Sequence, residues 1–307
     1  MERIATLTMN PAIDSSCEAE TVSPTHKIRT HNERYDPGGG GLNVARVLHR
    51  FGAPVEAIYM SGGPTGALLD GLLDNAGLAR IAVPMHDQVR MSLAVYERST
   101  GHEFRFVPEG PALSQAEAQA AVRAVLDNPC PWLVASGSLP RGVAPDFFAS
   151  LSAPLAQQGR RLVLDTSGAA LKAAFEAGGI YLAKPSIGEF EILLERKFAS
   201  HQEIGAAALE LVRAGKAQMI AVTMGEQGAV LAHQAGVATH PGVQAVARSA
   251  TGAGDSFVAG MVHGLLRGEP PEQAFRRGIA AGTAAVLTPG TGLCEPAEVE
   301  RVLSELP

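Results

Sequence analysis

The sequence predicts an α/β fold built on a mostly parallel central sheet, with a small second sheet standing off it. Short apolar runs alternate with amphipathic stretches along the chain, the rhythm of strand–helix–strand units. Two segments break that rhythm. Residues 12–36 are polar, with scattered β-formers and no helical period, and 89–107 read as two strands around a Ser99–Gly101 turn. Composition agrees: 46% of residues are hydrophobic, 18% charged and only 5% aromatic, so Ala, Val and Leu build the core.

In chain order, strands are expected at Ile4–Met9, Val55–Met60, Trp132–Ser136, Arg161–Asp165, Ile180–Ala183 and Met219–Thr223. Each is a short apolar run of the kind a doubly covered parallel strand needs. Helices are expected at Gly41–Phe51, Gly66–Ala76, Ser114–Leu126, Pro145–Gln158, Gln202–Ala214, Gly252–Leu266, Glu272–Val286 and Pro296–Glu305. Ser114 and Glu117 have capping-box spacing, and Pro145 suits a first helical turn. No repeat or low-complexity linker divides the chain, so residues 1–307 read as one domain. Segments 12–36 and 89–107 form its projecting sheet, suited to act as a lid over a cleft or as a dimer surface.

Composition excludes several classes. The 34 glycines follow no third-residue period, which rules out collagen. High apolar content with little charge rules out a disordered chain. Twenty-five basic against 31 acidic residues give a net charge of −6, which argues against a broad nucleic-acid face. Cys17, Cys130 and Cys294 are too far apart for a zinc knuckle or a CxxC pair, and an odd count fits a reducing compartment. No signal peptide and no apolar window of ~18 residues is present. The expectation is a soluble cytoplasmic protein without nucleic-acid or membrane partners. P-loop, G-x-G-x-x-G, HExxH, GxSxG and protein-kinase motifs are all absent.

The strongest positive signal is Ala250-Thr-Gly-Ala-Gly-Asp-Ser-Phe257 before a helical run. Small residues at Gly252, Ala253 and Gly254 let backbone N–H groups converge at a helix N-terminus, an anion hole reinforced by the helix dipole. Such donors suit the charge of a phosphoryl-transfer transition state. Asp255, in the first turn, is placed to accept a proton from an attacking alcohol. An ordinary helix with a dipole-complementing Asp is the plain alternative.

A second signal is Asp36-Pro-Gly-Gly-Gly-Gly-Leu-Asn-Val-Ala-Arg46. Four glycines carry a large entropic cost and make sense where a ligand lies against the main chain. Asn43 can both donate to and accept from sugar hydroxyls. Ser136–Gly142, Asp165–Gly168, Lys184–Glu189 and Thr223–Gly228 all follow strand candidates. The carboxyl ends of parallel strands are where α/β sheets bind ligands, so these loops imply one long cleft. Lys27, Arg29 and Arg90 lie on the two lid segments and suit a phosphate.

The Gly-Gly-Gly-Gly-Leu-Asn-Val-Ala-Arg stretch and the Thr-Gly-Ala-Gly-Asp-Ser stretch resemble the two signatures of the ribokinase-like, phosphofructokinase-B carbohydrate kinases. The resemblance covers essentially the whole chain, including Thr6-Leu-Thr8, Pro11–Asp14 and Gly137–Gly142. The four-glycine run, where relatives acting on fructose 1-phosphate or tagatose 6-phosphate often carry Lys, is most similar to the bacterial minor 6-phosphofructokinase branch.

The resemblance implies a ribokinase-like three-layer sandwich with a β-lid that also joins a homodimer. It implies ATP and Mg²⁺, and transfer of the γ-phosphoryl to the C1 hydroxyl of fructose 6-phosphate. Asp255 matches the catalytic base, and Gly252, Ala253 and Gly254 the anion hole. Asp14, Gly39, Gly40 and Asn43 match sugar contacts; Lys27, Arg29, Arg90 and Ser138 match positions around the sugar's phosphate. Lys184, Ser186, Thr223, Gly225, Gly228 and Thr251, with Gly252 and Gly254, match the nucleotide side. Glu189 matches an acidic position that organises Mg²⁺ through water.

The sequence departs from the family at two places. Ser186 stands where an Asn-x-x-Glu motif begins, and Ser249 where many members carry an Asp near a monovalent cation. A K⁺ site would then rest on backbone carbonyls around Thr251, Ala285 and Gly290. Tagatose 6-phosphate or fructose 1-phosphate as substrate keeps the same mechanism. A non-catalytic sugar-phosphate sensor predicts damage to Asp255 or the anion hole, and these are intact.

Overall fold

The computed structural model describes residues 1–243, 251–288 and 292–306. The chain starts in the middle of the large sheet with β1 (Ile4–Thr8), then leaves it for the hairpin β2 (Ala12–Ala19) and β3 (Thr30–Gly38). Helix α1 (Gly40–Arg50) returns it to β4 (Val55–Ser61), α2 (Gly63–Asn75) and β5 (Ala79–Pro84). A second excursion makes β6 (Arg90–Glu97) and β7 (Glu103–Phe106). The alternation then runs α3 (Gln115–Asp127), β8 (Trp132–Ser136), α4 (Phe147–Gln157), β9 (Arg161–Asp165), α5 (Gly168–Ala177) and β10 (Ile180–Ala183). Next come α6 (Ile187–Leu194), α7 (His201–Arg213), β11 (Ala217–Thr223), β12 (Ala229–His233) and β13 (Gly236–His240). Helices α8 (Ala253–Leu266), α9 (Pro271–Val286) and α10 (Pro296–Glu305) close the chain.

The large sheet has the order β13-β12-β11-β10-β9-β8-β1-β4-β5. From β5 to β11 all pairings are parallel; β12 and β13 add an antiparallel hairpin at one edge. One helix group chains α1, α8, α9 and α10; another chains α3, α4, α5 and α6. This is the doubly covered sheet the alternation predicts.

All six expected strands form. So do the expected helices, with shifted ends. Pro145 is a correction: Asp146 is the helix N-cap, so the proline lies outside the first turn. Two helices went unpredicted, α5 and α6, because they begin inside segments read as loops. Strands β5, β12 and β13 were also unpredicted.

The small sheet has the order β3-β2-β6-β7, assembled from the two segments that break the rhythm. Its register puts Tyr35, Ser15, Leu93 and Phe106 in one row across four strands. Tyr35, Leu93 and Phe106 are exposed, as is Met91 on the same face. The other face carries Asp14, Ser92 and Arg105. The sheet therefore has an apolar outer face and a polar face towards α1. Among the described residues, no helix is long and apolar enough to cross a membrane. The three cysteines are free and buried.

Candidate active site at the carboxyl ends of the strands

Strands β8, β9, β10 and β11 end on Ser136, Asp165, Ala183 and Thr223; Ser136 pairs with Asp165 and Ala183 with Leu164, while Thr223 reaches three residues beyond Ala183's partner Ile220 and stands level with Ser186. The loop after each turns into the same groove. Lys184 follows β10 directly, its N–H bonded to Leu164 O at 3.0 Å. Helix α8 points its N-terminus into this row. Gly252 caps it at φ 74°, and a Cβ there would stand 2.5 Å from the Leu293 side chain. The first N–H groups of a helix have no intrahelical acceptor, so the cap of α8 is a ready anion site.

Asp255 sits in that first turn. Asn43 donates to its Oδ2 at 2.9 Å, and Ser136 Oγ donates to its Oδ1 at 3.4 Å. Burial, reinforced by the charge of Asp165, pushes the Asp255 carboxyl up to about 7; Asn43, Lys184 and Ser136 oppose the rise. A carboxylate of that basicity is matched to proton transfer near neutral pH.

Beneath it lies a buried ion pair, Lys184 Nζ to Asp165 Oδ1 at 3.1 Å. Burial pushes the Lys184 ammonium down, but Asp165, Glu189 and Asp255 more than restore it, and the group stays protonated. Burial likewise pushes Asp165 up, against the attraction of Lys184. A Cβ on Gly254 would stand 3.4 Å from Lys184 Nζ. A fixed cation thus sits against the positive end of a helix, an arrangement that an incoming polyphosphate relieves.

The glycine run has a packing role that the sequence did not show. A Cβ on Gly38 would stand 2.3 Å from Asp14 Oδ2, one on Gly40 2.3 Å from Ser136 Oγ, and one on Gly41 2.4 Å from Leu7 O. Protein atoms, not open space, fill those directions. The glycines let α1 close onto β1 and β8, which is what brings Asn43 to Asp255. Gly39, at φ 104°, makes the turn into the helix.

On the sugar side, Asp14 lies on the polar face of the small sheet. Burial pushes its carboxyl up, and Arg105, Arg90 and Arg46 pull it back. Arg90 donates to Pro108 O and Asn10 O at 2.8 and 3.1 Å. Asn10 in turn donates to Ser138 Oγ at 3.1 Å. Lys27 and Arg29 are not brought here. They sit beyond the Ala19–Thr30 pair, which lies five residues past Asp14 along β2, about 17 Å at ~3.3 Å per residue. Both are exposed.

On the nucleotide side, Ser186 caps α6. Its Oγ accepts from Glu189 N–H, and Glu189 Oε2 accepts from Ser186 N–H at 2.7 Å. Serine thus keeps the cap that Asn would form. Thr223 N–H bonds Pro185 O. Gly225, at φ 57°, has open space where a Cβ would point, whereas Gly228 is packed against His240 O. The cation expectation falls partly on Ser249 and Gly290, which lie outside the described residues; Thr251 and Ala285 lie at the start of α8 and near the end of α9.

Sequence reasoning missed Arg105 and Asn10, and placed Asp165 in a cleft loop without giving it a role. Alternation in Glu103-Phe-Arg-Phe106 was the available signal for Arg105; for Asp165 the partner comes from the next strand.

Residues 7–298 match the family described as pfkB family carbohydrate kinase. The chain belongs to that family. Among curated pfkB relatives, the ATP-dependent 6-phosphofructokinase isozyme 2 of Mycobacterium tuberculosis (strain CDC 1551 / Oshkosh) is 40% identical over 301 residues, covering 97% of this chain and 88% of the relative. The Escherichia coli (strain K12) protein of that name is 36% identical over 312 residues, covering 100% and 99%. The crystal structure of E. coli phosphofructokinase-2 in complex with fructose-6-phosphate superposes with a TM-score of 0.93 at 35% identity, covering 100% of this chain and 99% of that one. The pfkB assignment bears out the expected fold and the expected class of sugar-phosphate kinase.

Proposed function

We propose that this chain is an ATP-dependent 6-phosphofructokinase, transferring the γ-phosphoryl of ATP to the C1 hydroxyl of fructose 6-phosphate to give fructose 1,6-bisphosphate and ADP. The observation that carries this reading is the Asp255 carboxyl, raised to about 7 and held between Asn43 and Ser136 at the cap of α8. The names of the two relatives and the ligand of the E. coli structure support the substrate.

Asp255 takes the proton of the C1 hydroxyl. The C1 oxygen bonds the γ-phosphorus as the bond to the β,γ-bridging oxygen breaks, leaving ADP. The N–H groups of Ala253 and Gly254 and the Lys184 ammonium face the charge that builds on the phosphoryl oxygens. Asp14 and Asn43 orient the sugar hydroxyls; Arg90, with Ser138, holds the existing phosphate. Thr223, Gly225, Gly228, Ser186 and Thr251 border the nucleotide.

The residues fit Mg²⁺. Among the described residues no cluster of three or more His, Cys, Asp or Glu could cage a metal, but Mg²⁺ keeps several waters and is held by one or two carboxylates plus phosphates. Glu189 spends Oε2 on the Ser186 N–H and has Oε1 left for a metal-bound water. When bound, the ion neutralises phosphate charge.

The small sheet is the lid that excludes water from this cleft. Its exposed row of Tyr35, Leu93 and Phe106 joins two copies as a homodimer. A coupled ADP-release assay over hexose phosphates and free sugars, with and without Mg²⁺, tests the proposal. Mg²⁺-dependent turnover with the highest kcat/KM on fructose 6-phosphate is expected; a preference for tagatose 6-phosphate, fructose 1-phosphate or a free sugar overturns it.

A further inference from the structure

Arg46 belongs to the glycine-run motif, but the reaction above gives it no task. It is buried on α1, 8% exposed, one turn beyond Asn43. Its guanidinium spans three acceptors. NH1 donates to Pro37 O at 2.7 Å and to Asn43 Oδ1 at 3.4 Å, and NH2 donates to Asp36 Oδ1 at 3.1 Å. Asp36 is itself buried and also bonded by Arg34 Nε at 2.9 Å. Asp36 and Pro37 are in β3, the small-sheet strand that runs into the glycine turn, and Asp36 pairs with Asp14 across the register. One side chain thus connects the small sheet, the sugar-side carboxylate and the amide that holds Asp255.

The chemistry of the contact is directional. A carboxamide presents either an acceptor oxygen or two donor hydrogens, and the two ends differ little in shape. An arginine only donates. With Arg46 on one side, the Asn43 oxygen has a reason to face it, and the amide N–H is turned towards Asp255. In the opposite orientation the amide oxygen meets a carboxylate, which repels it.

We infer that Arg46 is a positioning residue that fixes the Asn43 carboxamide in its donating orientation towards Asp255 and ties that orientation to Asp36 of the small sheet. The inference rests on the reading of Asp255 as the base. Its consequence is coupling: a shift of β3 moves Asp36 and Pro37, hence Arg46, hence the donor that keeps the base ionised. The groups facing Asp255 are Asn43 from α1, Ser136 from β8, Asp165 from β9 and Lys184 just after β10. Of these only Asn43 is reached by Arg46.

The test uses the full-length enzyme and three variants, Arg46→Met, Arg46→Lys and Asn43→Ala, with the double Asn43→Ala/Arg46→Met. Arg46→Met should lower kcat ~10- to 100-fold with the KM for ATP changed less than about threefold. Its acid limb of kcat/KM should move to higher pH, because Asp255 loses an oriented donor. Arg46→Lys keeps a charge for Asp36, but one ammonium cannot span all three acceptors; it should show the same shift in smaller degree, and it decides the matter should Arg46→Met not fold. The double variant should be no slower than Asn43→Ala alone, since both act through one contact. Lower melting temperature with unmoved limb and unchanged kcat would make Arg46 merely structural and overturn the inference, as would additive losses in the double variant. Asp255→Asn is the separate control: a wild-type limb near pH 7 together with a large loss in that variant upholds the base, so an unmoved limb in the Arg46 variants then counts against this inference alone.

Discussion

Asn43 and Asp255 stand 212 residues apart in sequence and 2.9 Å apart in the fold. The contact welds the two glycine-containing segments into one site, α1 supplying the donor and the first turn of α8 the acid. Asp255→Asn keeps the shape of this corner and one acceptor for the Asn43 amide, but cannot take a proton. Turnover should fall by on the order of 10²–10⁴, the usual worth of general-base catalysis, while ATP still binds. Steady-state kinetics beside a nucleotide-binding titration checks this; normal turnover removes Asp255 from the role.

Acidity gives a second prediction. Burial, then the charge of Asp165, lifts Asp255 from 3.8 to about 7, and the base works only ionised. The kcat/KM profile should therefore lose activity below about pH 7, tenfold per unit. Stability runs the other way. The folded-state value is the higher one, so protonated Asp255 favours the fold and this contribution is lost as pH rises through about 7. Asp255→Asn should melt a few degrees higher than the parent at pH 8, with the gain fading as pH falls towards 4. Thermal melts across that range decide it; a gain that grows on acidification contradicts the assignment.

Much of this site was legible because each component sits after an apolar run and is announced by glycine. Ser136, Lys184 and Thr223 are found by locating strand ends. What pairs with what was not legible. Asp165 meets Lys184 only through the parallel register of β9 and β10. Helix α5 was hidden by Gly168 at φ 60° and α6 by its eight-residue length. The strand β13 alternates half-buried and exposed positions at a sheet edge and lacks an apolar run. The glycine run was seen, but its packing role was not: backbone and side chains of this chain occupy the missing Cβ positions of Gly38, Gly40 and Gly41.

That packing role is testable at Gly40. A Cβ there would lie 2.3 Å from Ser136 Oγ and 2.9 Å from Gly137 N. Gly40→Ala must push α1 off β8, costing about 1–3 kcal/mol as overpacking does, and must disturb the hydroxyl that bonds Asp255. Both melting temperature and kcat should fall. Gly188→Ala is the matched control, because nothing lies within 4 Å of its Cβ and it sits inside α6. It should be neutral or gain ~0.5–1 kcal/mol. Equal behaviour of the two variants would remove the packing argument.

Arg90 offers a substrate-side prediction. It is half-buried, anchored on two carbonyls and near the Asp14 carboxyl, so its charge is fixed in place. Hydrogen bonds to charged groups are worth ~1.5–3 kcal/mol. Arg90→Ala should raise KM for fructose 6-phosphate on the order of 10- to 100-fold and leave KM for ATP near its parent value. Weak activity on free fructose, measured at high concentration, should change far less. An equal loss on both sugars would contradict a phosphate contact.

The outer face of the small sheet makes the last prediction. Leu93 and Phe106 are cross-strand partners, both exposed, in line with Tyr35. Large contiguous apolar faces on soluble proteins mark association surfaces. A charge in that row must be buried unpaired when two copies meet, which is strongly unfavourable, yet costs little in a lone chain. On the proposed homodimer, the parent should run as a dimer and Leu93→Glu as a monomer at micromolar concentration, with the variant's melting transition still cooperative. Light scattering coupled to size exclusion reads the mass directly. A variant that stays dimeric would place the subunit contact on another surface and leave this face to the lid alone.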